Sequence, residues 1–103
     1  MKIKKAFLIT IYGEIKPLPE LQGKELEFKN MYHLIPCSTI EHVGLKKGVD
    51  LWFDEEGMFK NPILNSIATK FYRQAYPHIP AEDLGIVGNA ILTDNTKAGD
   101  FIK

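Results

Sequence analysis

Residues 3–15 are rich in β-branched and aromatic residues, with apolar side chains at successive positions through the middle, a pattern that predicts a buried β-strand. Both faces of this strand are apolar through its middle, which is typical of a central strand covered on both sides. Prolines at positions 17 and 19 are expected to end it. One face would carry Phe7, Ile9 and Ile11, and the other Ala6, Leu8 and Thr10.

Two segments place apolar residues at helical spacing. In residues 25–35, Met31, Tyr32 and Ile35 align with Leu26 or Phe28, and this helix should stop before Pro36. In residues 63–76, apolar residues recur at every fourth position, and Asn65 or Ser66 could cap a later start. The repeating positions are Ile63, Ile67, Phe71 and Ala75.

Residues 39–45 and 49–54 predict a β-hairpin, because two strand-like runs are separated by Lys46, Lys47 and a glycine. Gly48 stands where a positive φ is needed. In the second strand, one face would carry Val49, Leu51 and Phe53, and the other Asp50, Trp52 and Asp54. Residues 85–93 predict a last strand, followed by a polar tail over 94–103 that Phe101 would anchor.

The predicted order of elements is therefore β-α-β-β-α-β within one α+β domain spanning residues 1–103. This order is typical of the ferredoxin-like fold, an antiparallel sheet with two helices on one face. Such a sheet leaves its other face partly open. Trp52, Tyr12 or Leu8 on that face would then form a dimer or partner surface.

Composition, net charge and the length of the apolar runs argue against two classes of partner, nucleic acids and membranes. The 103 residues are 45% hydrophobic and 25% charged, as in ordinary soluble domains. Thirteen basic and thirteen acidic residues cancel, so direct nucleic-acid binding is not expected. No apolar run approaches the roughly 20 residues that a membrane helix needs. We expect a cytoplasmic protein without a membrane partner, and its single cysteine, Cys37, excludes an intramolecular disulfide.

Three motifs carry a resemblance to a known family. They are residues 49–57 (Val-Asp-Leu-Trp-Phe-Asp-Glu-Glu-Gly), 65–69 (Asn-Ser-Ile-Ala-Thr) and 85–90 (Gly-Ile-Val-Gly-Asn-Ala), with weaker agreement from Leu26 through residues 37–41. The last two-thirds of the chain thus resembles a small domain of unknown function from phages and mobile elements of Gram-positive bacteria. The resemblance implies a genomic context, in which small accessory proteins often bind and inhibit host proteins, including defence systems.

The acidic run Asp54, Glu55 and Glu56 allows two interpretations. It could bind a divalent metal through oxygen ligands, although its spacing differs from that of a calcium loop. The favoured interpretation is a solvated turn, in which Asp54 accepts backbone N–H bonds and Gly57 adopts the left-handed conformation.

Other candidate sites are weaker. His33, His42 and His78 are scattered and lack zinc-ligand spacing. A nucleophile–base pair of Cys37 with one of them would require tertiary proximity. The glycines of residues 85–89 suggest a phosphate loop, but the Gly-Lys-Ser/Thr ending is missing. Lys60, Lys70 and Arg73 predict a solvated helix face rather than a nucleic-acid surface.

Asn65 and Asn89 are amides within apolar runs, for which capping or loop fastening is favoured over ligand recognition.

The leading hypothesis is a non-enzymatic protein that occludes a host protein through aromatic anchors, with no cofactor. The alternatives are a nucleotide or small-molecule binder and a metal-dependent enzyme; a homodimer is compatible with all three. The predicted binding residues are Trp52, Asp54, Glu55, Asn65, Tyr72, Tyr76 and Asn89.

Overall fold

A five-stranded antiparallel sheet forms the centre of the protein in a computed structural model, which describes residues 1–35, 39–57, 63–80, 83 and 85–102. The strand order across the sheet is β2-β1-β5-β4-β3. The strands are β1 (Lys5–Ile9), β2 (Ile15–Pro17), β3 (Ile40–Lys46), β4 (Val49–Asp54) and β5 (Ala90–Asp94). One α-helix, α1 (Ser66–Ala75), lies within the described residues.

Strand β5 is the middle strand of the sheet, and β1 and β4 lie on either side of it. Strand β1 pairs with β2 and β5, and Leu8 lies opposite Lys16 on one side and Ile91 on the other. All five residues of β5 are buried. Phe7 and Ile9 pack on one face, whereas Ala6 and Leu8 pack on the other. The prediction of a central strand covered on both faces is confirmed for β1, although the strand ends at Ile9 because the chain turns back into β2.

The predicted hairpin is confirmed. Strands β3 and β4 pair in antiparallel fashion, with His42 opposite Trp52. Gly48 has a φ of +87° in the turn, a conformation that costs glycine little because it has no Cβ. A side chain there would also lie 3.2 Å from Thr96 Cγ2. The hairpin turn therefore requires glycine for both its backbone angle and its packing.

Helix α1 begins later than the apolar spacing alone indicates. Asn65 is the N-cap, and its side-chain oxygen accepts the backbone N–H of Ala68 at 3.0 Å. Ile63 and Leu64 lie outside the helix; Leu64 instead forms a β-bridge with Val87. The sequence allowed for this later, capped start. The helix begins here because an asparagine cap satisfies an N–H that has no partner within the helix.

The helix predicted over residues 25–35 does not form. The segment contains a 3₁₀ turn, Phe28–Asn30, and a second turn in which Leu34 and Ile35 both donate to the Met31 carbonyl. Asn30 Nδ2 donates to the Glu25 carbonyl at 2.7 Å, and Glu27 is extended with a φ of −139°. A side chain that occupies a backbone carbonyl competes with helix formation. Met31 and Ile35 are nevertheless buried.

The two faces of the sheet are covered by different kinds of structure. Residues 18–35 cover one face, where Leu21 and Met31 pack over Trp52 and Ile91. Helix α1 covers the other face together with Phe101 and Ile102. The ferredoxin-like prediction of a β-α-β-β-α-β order with two helices on one face is therefore wrong. The sheet has an extra edge strand, β2, and its second covering layer consists of turns.

The chain after β5 is fastened to the sheet instead of extending as a free tail. Asp94 belongs to β5, is fully buried, and accepts bonds from Thr96 N, Thr96 Oγ1 and Phe101 N at 2.9, 2.6 and 3.0 Å. Phe101 packs edge-on against Phe71, with ring centroids 5.2 Å apart. The anchoring role predicted for Phe101 is confirmed, whereas the last strand begins at Ala90 instead of residue 85 and ends at Asp94, one residue past its predicted end.

Candidate functional site

Four segments meet at one end of the sheet, where β1 and β4 finish and β5 begins. We call this region the loop end and define it as residues 10–15, 54–57, 63–65 and 85–89. Gly88 N donates to the Ile63 carbonyl at 2.8 Å, and Ile11 N donates to Asn89 Oδ1 at 3.0 Å. These bonds hold loops that are far apart in sequence at the same end of the sheet.

The loop end exposes several large apolar side chains. Tyr12, at the tip of the turn between β1 and β2, is 81% exposed, and Ile63 and Leu64 are 45% and 46% exposed. Ile15, the first residue of β2, is exposed as well. Single exposed apolar residues are normal on a protein surface, whereas a group of them marks an interaction site. The loop end is therefore the candidate binding surface.

An acidic turn borders these apolar residues. Glu55 and Glu56 are exposed. Asp54 Oδ1 accepts the Glu56 N–H at 2.9 Å, and Glu56 Oε1 accepts the Thr39 hydroxyl at 2.9 Å. The favoured interpretation, a turn in which Asp54 accepts a backbone N–H, is confirmed. The turn places negative charge beside the apolar surface.

Gly57 closes the acidic turn for a different reason from the one predicted. Its φ is not in the left-handed region, which contradicts the sequence-based prediction. A Cβ at this position would lie 2.9 Å from Val87 Cγ2, closer than side-chain atoms normally approach. Glycine at position 57 thus permits close packing against Val87. This packing holds the acidic turn next to the β-bridge between Leu64 and Val87.

Asn65 is buried at the centre of the loop end. In addition to capping helix α1, its Nδ2 donates to the carbonyl oxygens of Ile9 and Gly88, each at 2.9 Å. The amide therefore joins the helix start, the end of β1 and the loop before β5. These three bonds use its oxygen and both of its N–H groups, as expected for a buried amide.

The turn between β1 and β2 is ordered by side-chain bonds. Thr10 Oγ1 accepts N–H bonds from Tyr12 and Glu14 at 3.3 and 3.2 Å, and Asn89 accepts the Ile11 N–H. Threonine and asparagine commonly fasten turns in this way. As a result, the exposed Tyr12 ring projects from a backbone that is already organised.

Comparison with protein-family models decides the affiliation of the chain. The model described as a domain of unknown function (DUF3846) matches residues 7–103. The chain belongs to the DUF3846 family. The match begins within β1, so it extends well beyond the last two-thirds in which the sequence motifs resemble a family of unknown function. No curated protein and no solved structure matched the chain.

Four of the seven predicted binding residues lie at the loop end of this DUF3846 chain. They are Asp54, Glu55, Asn65 and Asn89. Asn65 and Asn89 already make the bonds described above, so their amides shape the surface from beneath. Glu55 is exposed and can contact a partner directly.

Trp52 lies away from the loop end, in the layer beneath residues 18–35. Its side chain is 4% exposed, and its Nε1 donates to Thr93 Oγ1 at 2.9 Å. His42 stacks on the indole with ring centroids 4.7 Å apart, and Phe28 meets it edge-on at 5.7 Å. In this structure Trp52 supports the exposed rings of His42 and Phe28 from below.

Tyr72 lies on helix α1 and Tyr76 is the C-cap residue that follows it, both beside strand β3. Their ring centroids are 5.6 Å apart, and Tyr76 donates its hydroxyl to the Gly44 carbonyl of β3. Tyr76 is 40% exposed. Burial raises the pKa of Tyr72, and the negative charge of Asp83 raises it further. The raised pKa keeps the Tyr72 phenol neutral near pH 7, so that its hydroxyl retains a hydrogen-bond donor.

Sequence reasoning missed the apolar members of the loop end. Tyr12 was expected on an open sheet face, and Ile63 and Leu64 were expected in a helix. The available signal was Asn65, since a cap at that position leaves Ile63 and Leu64 outside the helix. Tyr12 directly precedes Gly13, whose φ is +80°, and an aromatic residue next to a turn glycine also indicates exposure.

Several other predicted residues do not form a site in the described part of the chain. Cys37 and Lys60 lie outside the described residues. His33, His42 and His78 are all exposed, and no group of three potential metal ligands occurs among the described residues. None of the described helices is long and apolar enough to cross a membrane.

Two surface recesses lie away from the loop end. A cavity of about 180 Å³ is bordered by Leu45, Phe71, Gln74, Ala75 and Phe101. A wider one of about 390 Å³ at the opposite end of the sheet is bordered by Met1, Lys47, Gly48, Asn95, Thr96 and Lys97. Neither contains a residue that the sequence identified as a binding candidate.

Proposed function

We propose that this chain is a non-enzymatic accessory protein of a phage or other mobile element that binds and inhibits a host protein. Host defence systems, CRISPR effectors among them, are the proposed class of target. The observation that carries the proposal is the group of exposed apolar side chains at the loop end, bordered by an acidic turn. The mobile-element origin is taken from the motifs of residues 49–57, 65–69 and 85–90.

The chemistry of the loop end specifies the kind of partner surface that fits it. Tyr12, Ile63 and Leu64 offer apolar area at the centre, and tyrosine is a frequent energetic anchor in protein interfaces. Glu55 and Glu56 supply negative charge at the border. A complementary partner presents an apolar recess with basic residues around it. Nucleic-acid-binding effectors carry basic surfaces of this kind, which is why they are the proposed targets.

The alternative of a nucleotide or small-molecule binder depends on free polar groups at Asn65 and Asn89. Asn65 donates to Ile9 and Gly88 and caps helix α1, while Asn89 accepts from Ile11. A ligand would have to replace bonds that hold the loop end together. These contacts favour the protein-binding function over this alternative.

The alternative of a metal-dependent enzyme depends on Asp54, Glu55 and Glu56. Asp54 and Glu56 each accept an internal hydrogen bond, and these bonds give both carboxylates a role in the turn. Metal-dependent turnover of a nucleotide that Asp54→Asn abolishes would contradict the protein-binding proposal.

The test is capture from a lysate of the host, followed by a direct binding measurement. The tagged protein should retain one host protein in stoichiometric amount, identified by mass spectrometry. The purified pair is then measured by calorimetry. We expect Tyr12→Ser to weaken binding roughly thirtyfold, the size of effect typical of an aromatic anchor. Addition of the chain should also inhibit the activity of the captured protein.

Two matched controls distinguish a local effect from a general one. Tyr32 is also an exposed tyrosine, at 38%, but it lies in the layer of residues 18–35; Tyr32→Ser should leave binding unchanged. Glu20→Lys should likewise have no effect, whereas Glu55→Lys should weaken binding. If Tyr12→Ser and Tyr32→Ser bind equally well, the loop end is not the contact surface.

A further inference from the structure

Strand β3 is an edge of the sheet, and two bonds show which of its backbone groups point outward. The Thr39 carbonyl accepts the Glu55 N–H at 3.1 Å, so the backbone polar groups of residue 39 point toward β4. Gly44 O accepts the Tyr76 hydroxyl and therefore points away from β4. Backbone groups alternate in direction along an antiparallel strand. His42 thus directs its N–H and C=O away from β4, toward the side of β3 on which the described residues place no strand.

The C-terminal part of β3 is blocked from pairing with a further strand, whereas its N-terminal part has a regular register. The pairing with β4 shifts between Gly44 and Lys46, which forms a β-bulge, and Tyr76 covers the Gly44 carbonyl. Bulges and lysines are common devices that keep edge strands from pairing. From Ile40 to Gly44 the register with β4 is regular. This stretch is therefore suited to pair with another strand.

Aromatic side chains flank this edge on both faces of the sheet. His42 and the 43% exposed Phe28 lie on one face, and Tyr72 and Tyr76 lie on the other. A strand added beside β3 would be contacted from both sides. Side-chain contacts of this kind stabilise strand pairs in addition to their backbone bonds.

The charges along β3 indicate what the added strand is. Glu41 is exposed near the beginning of the strand, and Lys46 and Lys47 are exposed at its end. When two copies of β3 run antiparallel, the acidic end of each lies beside the basic end of the other. We propose that β3 pairs with β3 of a second copy of this chain. Two five-stranded sheets then become one continuous sheet.

This pairing is independent of the proposed function, and it leaves accessible the apolar residues of the loop end that lie near β2. Ile15 belongs to β2, which forms the opposite edge of the sheet from β3, and Tyr12 lies in the turn leading into β2. A dimer joined through β3 therefore carries two separate loop ends. A partner with two equivalent sites would bind such a dimer with increased avidity.

A charge-swap experiment tests the pairing, with mass measured by light scattering and analytical ultracentrifugation over a range of concentrations. Wild type should form a dimer. Glu41→Lys should weaken it roughly tenfold, because both ends of the paired strands then carry positive charge from the two copies. The double variant Lys46→Glu/Lys47→Glu should weaken it similarly. An equimolar mixture of the two variants should form a heterodimer, since opposite charges face each other again.

Replacing Lys46 also removes a positive charge near the buried Asp94, which can destabilise the fold of the double variant. A proline variant in β3 tests the pairing without that change. His42→Pro removes an outward N–H without removing a bond to β4, and should give a folded monomer. His42→Ala retains that N–H and should remain closer to wild type. Circular dichroism verifies that each variant is folded.

The proposal is overturned if wild type remains monomeric at millimolar concentration. It is also overturned if the dimer tolerates both His42→Pro and Glu41→Lys, which would place the dimer contact elsewhere. A monomeric wild type whose capture of a host protein is abolished by His42→Pro would mean that β3 takes a strand from the partner, and would likewise overturn self-pairing.

Discussion

The side-chain amide of Asn65 donates a hydrogen bond to the backbone carbonyl of Ile9 at 2.9 Å, which joins the start of helix α1 to the end of strand β1. The two residues are 56 positions apart in sequence. The same amide also holds Gly88 and caps the helix. The arrangement of the loop end therefore depends on one fully buried side chain.

Substitutions of Asn65 should separate its capping role from its bridging role. Asn65→Ser keeps an oxygen that can cap the helix but loses the donors to Ile9 and Gly88. Asn65→Ala loses both roles and should lower the free energy of unfolding by roughly 2–4 kcal/mol, about 1 kcal/mol more than Asn65→Ser. Urea denaturation followed by circular dichroism measures both. Equal losses for the two variants would show that the cap contributes little.

The hydrogen bond between Trp52 and Thr93 should give a clear double-mutant cycle. Both side chains are buried, at 4% and 1% exposure. Trp52→Phe leaves the Thr93 hydroxyl without this donor, and Thr93→Val leaves the indole N–H without its acceptor. Each change should cost roughly 1–3 kcal/mol. The double variant should cost less than the sum of the two, because it leaves neither group unpaired. Thermal unfolding followed by circular dichroism provides the readout, and additive losses would argue against the bond.

Gly85→Ala should be far more destabilising than Gly88→Ala. Both glycines have positive φ, +92° and +74°, so each alanine variant is strained to a similar degree. A Cβ at Gly85 would lie 2.5 Å from Thr69 Cγ2, whereas nothing lies within 4 Å of a Cβ at Gly88. We expect a cost of roughly 1–2 kcal/mol for Gly88→Ala and a larger one for Gly85→Ala. Combining Gly85→Ala with Thr69→Ser, which removes the crowded methyl group, should recover part of the difference.

Asp94 should make the attachment of the C-terminal segment dependent on pH. Burial opposes its ionisation, but hydrogen bonds from Thr96 and Phe101 outweigh that effect and lower its pKa below the ordinary value of 3.8. A lowered pKa means that the carboxylate stabilises the fold above pH 3.8, and that this contribution is lost as the pH falls through the lower, folded-state value.

Acid titration monitored by NMR at Phe101 tests this linkage. The segment after Thr96 should detach below pH 3.8 in wild type. Asp94→Asn, which has no charge to lose, should show a reduced pH dependence and a free energy of unfolding lower by roughly 2–3 kcal/mol at pH 7, since hydrogen bonds to charged groups are the stronger ones. An unchanged acid transition in Asp94→Asn would assign the dependence to another group.

Local features of this protein were determined by the sequence alone. The alternation around Phe7 and Leu8 defines a strand with two buried faces, because side chains in a strand point to opposite sides in turn. Gly48 specifies the hairpin turn, and Asn65 specifies the helix cap, because each acts on neighbouring backbone groups. Phe101 could be identified as an anchor because it is a large apolar residue in a polar segment.

Tertiary structure decided how these elements combine. The apolar spacing of Met31 and Ile35 correctly indicated burial, but it does not distinguish a helix from successive turns when Asn30 and its neighbours offer competing bonds. Strand β2 is only three residues long and fully exposed, so it carries no burial pattern and forms because β1 offers it an edge. The ferredoxin-like prediction failed at these two places.

The candidate site depended on tertiary structure for the same reason. Tyr12 lies dozens of positions before Glu55 and Leu64, and no local pattern relates the three residues. They come together because Asn65, Asn89 and the bridge of Leu64 with Val87 connect distant loops. A sequence fixes interactions between neighbouring residues directly, whereas contacts between distant segments depend on the packing of the whole chain.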